Sequence, residues 1–444
     1  MRLEVRPAVG PMRGRARVPG DKSIGHRAVL FGALGQGCSH VRGLSGGEDN
    51  ARTVALLEAL GVRIVRLDAH ALDVHGAGLE ALRASERPLE CGNSGTTMRL
   101  CAGLLAGVPG RHVLVGDAYL HRRPMRRVAA PLGAMGAVLG GAPGGKPGEV
   151  YPPLSIEGRR PLAGGHHVCE VASAQVKSAI LLAGLAADGP VTVSEPGPSR
   201  DHTERMLRAR GVPLSVQGLT VTLDPRGWDG RIAALDVAVP GDPSSAAFLA
   251  VAAAIVPGSE VRIDGILLNP TRTGFLDALC AMGADVVIDD RRDVGGEPVG
   301  ALVVRARELQ ATTIAGELVV RALDELPVLA VAAACAEGTT VIRDASELRV
   351  KESDRVATTV RMLRTLGVCA EERPDGLVIE GRAGRPLGVG RVDSAGDHRI
   401  AMAGAIAALL SDGPCEIDDA DNVRTSFPSF VATMRALGAD LEER

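Results

Sequence analysis

Five cationic side chains, Lys22, Arg27, Arg99, Lys177 and Arg399, fall in the opening turns of a recurring kind of segment. The segments are KSIGHRAVLFGALGQG, GNSGTTMRLCAGLLAG, SAQVKSAILLAGLAADG, GDPSSAAFLAVAAAIVPG, DELPVLAVAAACAEG and DHRIAMAGAIAALLSDG. Each has a polar start, then an apolar stretch of mostly small residues, then glycine. Apolar on nearly every face, they read as buried helices. A helix start offers unpaired N–H groups and the positive end of the dipole, which makes it a natural anion site. If several such helices run parallel, their starts converge and their positive potentials add. Ser, Asp, Asn and Gly at these starts also serve as ordinary N-caps, and for any one helix that reading competes on equal terms. The recurrence of cations at the starts favours anion binding. Lysine is scarce: Lys22, Lys146, Lys177 and Lys351 are the only ones, every other fixed cation being arginine. An ammonium has a compact shape and a tunable pKa that a guanidinium fork lacks.

A second repeat must hold these helices in place. It is an amphipathic run, then glycine, then a β-rich stretch: ALLEALGVRIV, APLGAMGAVL, RMLRARGVPLSV, DALCAMGADVVI, RMLRTLGVCAEE and ATMRALGADLEE. The glycines are Gly61, Gly136, Gly211, Gly283, Gly367 and Gly438, and each reads as a helix C-cap. Their period of roughly 75 residues is too long for the common helical solenoids. Strand-like runs such as HVLVGD, VTVSE, VRIDG and LVIEG lie between. Six units, each with two helices and several strands, make an α/β protein of repeated modules.

Composition narrows the classes of function. At 444 residues, two or more domains are expected. Aromatics are 2%, with Trp228 the single tryptophan, which argues against base-stacking platforms. A net charge of −3 supports neither a nucleic-acid nor a membrane-surface partner. The eight cysteines stand singly, without metal-ligand spacing, and read as reduced, buried thiols of a cytoplasmic protein. There is no secretory leader pattern at the start and no convincing membrane span. The stretch Gly140 to Pro147, GGAPGGKP, imitates a phosphate loop, but Pro147 stands where a hydroxyl is needed, so a surface turn is the better reading.

Ten motifs, in order along nearly the whole chain, resemble the 5-enolpyruvylshikimate-3-phosphate synthase family. They are GDKSIGHR (Gly20–Arg27), GNSGTTMR (Gly92–Arg99), RPM (Arg123–Met125), SAQVK (Ser173–Lys177) and RDHTERM (Arg200–Met206). PGDPSS (Pro240–Ser245), DELP (Asp324–Pro327), RVKESDR (Arg349–Arg355), GDHR (Gly396–Arg399) and SFP (Ser426–Pro428) complete them. The resemblance implies a two-domain α/β fold of six βαβαββ-type repeats, three per domain, with buried parallel helices. One domain is expected at 21–239 and the other at 1–20 plus 240–444.

The implied reaction moves the enolpyruvyl group of phosphoenolpyruvate onto the 5-hydroxyl of shikimate 3-phosphate and releases phosphate. The resemblance assigns phosphoenolpyruvate to Lys22, Gly95, Arg123, Gln175, Arg355 and Arg399. It assigns shikimate 3-phosphate to Lys22, Ser23, Arg27, Ser173, Ala174, Gln175, Asp324 and Lys351, with Arg200 as a further phosphate ligand. Asp324, Glu352 and Lys22 are the implied acid–base groups, Asp324 as base and Glu352 as proton donor. Taken singly, Asp324-Glu325 could be an exposed helix start, the 351–355 run a solvated charge string, and His26 and His398 surface or capping residues. No metal or cofactor is implied. The partners are small molecules only, with no nucleic acid or membrane, and a monomer is expected.

Three local features qualify the match. Some relatives carry a lysine just before the final Phe-Pro, where this chain has Thr425 with Arg424 beside it. Gly95 leaves room in a pocket that in this family also accepts glyphosate, so sensitivity is expected. The loop Gly116–Met125 lacks the cysteine that the related UDP-N-acetylglucosamine enolpyruvyl transferases place there. Two alternatives remain: such a UDP-N-acetylglucosamine enolpyruvyl transferase, against which that loop argues, and a catalytically silent, anion-binding scaffold.

Overall fold

A computed structural model describes residues 1–144 and 147–444. The chain divides into two compact units. The first is Gly20–Val239 with Val294–Glu297; the second is Met1–Pro19, Pro240–Asp293 and Pro298–Arg444. Among the described residues the strands form six four-stranded sheets. Gly145 and Lys146, in the glycine-rich stretch, lie outside the described residues. Gly140–Pro143 belongs to the strand Val138–Pro143 rather than to a surface turn, because it pairs with Val150–Gly158.

The sheets share one plan. In the sheet of Gly165–Val168, Val191–Ser194, Thr220–Leu223 and Leu214–Gln217, the first pair is parallel and the next two are antiparallel. A buried helix, Ala174–Gly184, links the parallel pair, and an amphipathic helix, His202–Arg208, follows. The order is therefore β-α-β-α-β-β. Strand Val191–Ser194 alternates buried and half-buried residues, the period of two expected when one sheet face is packed.

Three sheets borrow a strand from elsewhere in the chain; that of Glu260–Leu267 takes Arg13–Ala16 as its parallel edge. The sheet of Gln36–Arg42 takes Val237–Ala238 as its parallel edge. The sheet of Arg391–Asp393 and Cys415–Asp418 takes Leu3–Val5 as an inner strand, antiparallel to both Cys415–Asp418 and Leu441–Glu443. The amide of Arg2 bonds the carbonyl of Arg444 at 2.9 Å, and the reciprocal bond is 2.8 Å.

Each unit is built on three buried helices. In the first these are Lys22–Leu34, Gly95–Ala106 and Ala174–Gly184; in the second, Pro243–Ile255, Leu326–Cys335 and His398–Ala408. Small residues set their spacing. A Cβ on Gly103 would overlap the carbonyl oxygen of Ala179 on the neighbouring helix. First-turn Gln175 donates to first-turn Thr96 at 2.9 Å, so these two helices start side by side and run the same way. In the second unit, Ser244 bonds Glu325 and Arg399 bonds the Asp324 carbonyl, so three helix starts again lie together. The six repeat glycines all have positive φ, from 71° to 102°, as C-caps in the left-handed region do.

No helix among the described residues is long and apolar enough to cross a membrane. The expectation of buried thiols holds for Cys91, Cys101, Cys335 and Cys415 only. Cys38 and Cys169 are half-buried, and Cys280 and Cys369 are exposed. Cys280 sits near the end of an amphipathic helix, and Cys369 two residues past the Gly367 cap, where repeats meet solvent.

Candidate active site

Polar residues at the helix starts do two jobs at once. Asp21, Ser94, Ser173, Asp242 and Asp397 each accept a backbone N–H of their own helix, as N-caps. Capping accounts for these five side chains but leaves the cations beside them to be explained.

In the first unit, Lys22 Nζ lies 2.8 Å from Asp49, and Asn50 donates to the Lys22 carbonyl at 3.1 Å. Burial would raise the Asp49 carboxyl, but Lys22 and His26 outweigh it and hold it below its usual range. His26, which could have been a surface or capping residue, is 1% exposed. Burial pulls it down to about 4, so the ring is neutral at pH 7. Its Nδ1 meets Thr53 at 2.7 Å, Thr53 meets Thr97 at 2.8 Å, and Thr97 donates to Ser94 at 2.8 Å. The chain of hydroxyls ties three helix starts together because each buried polar atom needs a partner.

Arg27 is fixed on three sides: to Thr203 at 2.7 Å, Ser178 at 2.7 Å and the Ser23 carbonyl at 3.0 Å. Burial lowers its pKa to about 10, leaving it cationic at neutral pH. Arg200 is half-buried, and its charge acts on Arg27 in the same direction. Ser173 donates its amide to Glu195 at 2.8 Å, and Glu195 with Glu204 grips the buried Lys177, each at 2.7 Å. Lys177 is thus neutralised by two carboxylates and is a framework residue rather than a free cation.

Gly95 opens its helix between two guanidinium groups. A Cβ there would stand 3.1 Å from both Arg123 Nη1 and Arg99 Nη1. Arg99 donates to Gln175 at 2.6 Å and Arg123 to Asn93 at 3.2 Å. Burial lowers Arg99 to about 10, with Arg123 and Arg127 pushing the same way. Like charges so close favour an anion between them. Arg99 was recognisable as a cation at a helix start, yet its bridge between Gln175 and Gly95 comes only with the fold.

In the second unit the focus is Arg355, 1% exposed. Its guanidinium reaches Asp397 at 2.8 Å, Glu352 at 2.6 Å and Asp324 at 3.3 Å. Lys351 lies 3.6 Å from the Asp324 carboxylate, and Arg399 lies 3.9 Å from it. Of the 351–355 run, Lys351 and Arg355 therefore turn in to the Asp324 carboxylate, while the Glu352 side chain stays partly exposed and Asp354 caps the following helix. Burial would raise both Glu352 and Asp397, but Arg355 outweighs it and holds each below its usual range. Burial would lower Arg355, and the surrounding carboxylates raise it instead.

Asp397 and Glu325 had no expected role. Glu325 is buried, and burial pushes its carboxyl up against the opposing pull of Arg272. It accepts from Ser244, which also receives Arg272 at 3.0 Å. Arg424 is turned to Glu443 at 2.8 Å, and Thr425 donates to the Asn422 carbonyl.

The sequence model of EPSP synthase (3-phosphoshikimate 1-carboxyvinyltransferase) matches residues 7–434. A 3-phosphoshikimate 1-carboxyvinyltransferase of Halorhodospira halophila is 52% identical over 433 residues, 98% of this chain and 95% of that protein. The one from Acidithiobacillus ferrooxidans is 52% identical over 441 residues, 99% of both. A solved EPSP synthase from Acinetobacter baumannii superposes with a TM-score of 0.92 at 41% identity, covering 99% of each chain. With six matching sheets, two units and cations at the helix starts, the chain belongs to the EPSP synthase family.

Proposed function

We propose a division of labour among these residues for the family's reaction, transfer of the enolpyruvyl group of phosphoenolpyruvate to the 5-hydroxyl of shikimate 3-phosphate with release of phosphate. The two substrates bring about four anionic groups, each of which needs charge-assisted partners. For phosphoenolpyruvate, the first unit offers Lys22, Arg123 and Gln175 around Gly95; the second offers Arg355 and Arg399. For shikimate 3-phosphate, Lys22, Ser23, Arg27, Ser173, Ala174, Gln175 and Arg200 serve from the first unit, and Asp324 and Lys351 from the second.

Asp324 acts as base for the 5-hydroxyl, and the cations around it orient it. Glu352 protonates the methylene carbon of the enol, which makes the neighbouring carbon cationic enough for the hydroxyl oxygen to attack. The tetrahedral intermediate then loses phosphate while its new methyl group returns a proton to the ionised Glu352, which re-forms the carbon–carbon double bond; the proton taken up by Asp324 leaves with the phosphate. Without substrate, Glu352 is ionised because Arg355 holds its proton affinity down. An anionic substrate that engages Arg355 weakens that hold and raises the proton affinity of Glu352, the direction a proton donor requires.

The single observation behind this reading is a buried guanidinium touching both carboxylates, Asp324 at 3.3 Å and Glu352 at 2.6 Å. Phosphate release from phosphoenolpyruvate, measured with shikimate 3-phosphate, with UDP-N-acetylglucosamine and with no acceptor, tests it. Release is expected only with shikimate 3-phosphate. Asp324→Ala and Glu352→Ala should each lower kcat by about 10²–10⁴-fold, with smaller changes in KM. Wild-type turnover in both variants overturns the assignment.

A further inference from the structure

The solvent side of one sheet in the first unit carries a group of side chains that the reaction does not use. Strand Gln36–Arg42 pairs antiparallel with Ala71–Ala77, placing His40 opposite Asp73 and Cys38 opposite His75. The intervening Ser39, Val41, Leu72 and Val74 are buried, so Cys38, His40, Asp73 and His75 share the outer face. His40 Nδ1 and Asp73 Oδ1 are 2.6 Å apart. The Cys38 thiol, a ring nitrogen of His40 and a carboxylate oxygen of Asp73 all lie within 4.8 Å of one another. All three residues are half-buried and open to solvent. Asp236 adds a further carboxylate beside them, accepting the His40 amide at 3.1 Å.

We propose that Cys38, His40 and Asp73 form a binding site for one divalent transition-metal ion of the zinc class. The chemistry of the three donors favours that class: thiolate sulfur and imidazole nitrogen suit zinc, and a carboxylate completes a borderline-soft set. Magnesium and calcium prefer oxygen ligands alone. Zinc sits about 2.0–2.3 Å from each donor, so the three atoms need to shift by about an ångström or less to close on it. Three protein ligands leave one tetrahedral position open. The thiol proton leaves to solvent as the metal enters. Since Cys38 and His40 lie on one strand and Asp73 on the next, the ion clamps the pair.

Cobalt(II), added to the chelator-treated full chain, is a coloured stand-in for zinc. One equivalent is expected to give a tetrahedral visible spectrum with a thiolate-to-cobalt charge-transfer band, and zinc should displace it and raise Tm. Cys38→Ser should abolish the band. His40→Ala and Asp73→Asn should each weaken binding by at least about tenfold, the loss typical even of outer-shell partners. Retained enolpyruvyl transfer in each variant shows that it is folded. Absence of the band in the wild type, or a band that survives in Cys38→Ser, overturns the proposal and leaves an ordinary cross-strand His–Asp pair.

Discussion

Asp397 governs how Arg355 is presented. It is fully buried and holds Arg355 Nε at 2.8 Å. Removing one member of a buried ion pair costs far more than the pair contributes, because the other charge is left without compensation. Asp397→Asn should therefore lower stability at pH 7 by about 3 kcal/mol, measured by urea unfolding. The pH dependence follows from the sign of the shift. Asp397 lies below its ordinary 3.8 in the folded chain, so its contribution is complete above that value. It is lost as pH falls through the lower folded value, so the gap between wild type and variant should narrow below about pH 4. A gap that widens on acidification would contradict the pairing.

Gly95 makes the opposite case at the same scale, since what matters is the missing methyl. An alanine Cβ at 3.1 Å from two guanidinium tips displaces them by a few tenths of an ångström without touching backbone. Gly95→Ala should leave Tm nearly unchanged, raise KM for phosphoenolpyruvate and weaken glyphosate inhibition, each by about tenfold, which corresponds to ~1.4 kcal/mol. Steady-state kinetics with both ligands reads the result. Unchanged inhibition would place glyphosate elsewhere.

At the scale of the element, close helix packing is set by single glycines. In an isolated helix, alanine is favoured over glycine by about 1 kcal/mol. At Gly103 that gain is outweighed, because the new methyl meets the Ala179 backbone, which cannot rotate away. Gly103→Ala should cost about 2 kcal/mol net by denaturant unfolding, within the range for overpacked cores. The twelve helical segments were legible in the sequence because each ends in glycine and carries a distinct pattern of apolar residues. The borrowed strands were not: Leu3–Val5, Arg13–Ala16 and Val237–Ala238 are three, four and two residues long, too short for a periodic signal, and their partners lie far along the chain. The site divides in the same way. Arg355 and Glu352 stood out through their motif. Asp397, Asp49 and Glu325 act by touching a cation or hydroxyl brought in from another segment, and no spacing along the chain encodes that.

At the scale of the molecule, the inner position of Leu3–Val5 makes the second unit depend on residues at both ends of the chain. Leu3 and Val5 are fully buried, about 1.5–3 kcal/mol each. Deleting residues 1–6 would remove them and strip the hydrogen-bonding partners from the strands on either side. Trp228, the single tryptophan, belongs to the first unit, so its fluorescence follows that unit while circular dichroism follows both. The deletion is expected to lower the urea midpoint seen by circular dichroism and to move the Trp228 transition less. Equal shifts in both signals would show that the units unfold as one.

The same strand has a consequence during synthesis on the ribosome. Residues 20–239 emerge as one stretch and can begin to fold while translation continues. Leu3–Val5 has to wait for Cys415–Asp418 and Leu441–Glu443. At about 5–20 residues per second, that is a delay on the order of tens of seconds. Throughout it, an apolar segment is without its partners. Arg2, Glu4 and Arg6, charges set between and beside the two apolar side chains, keep the waiting segment soluble and discourage pairing with another nascent chain.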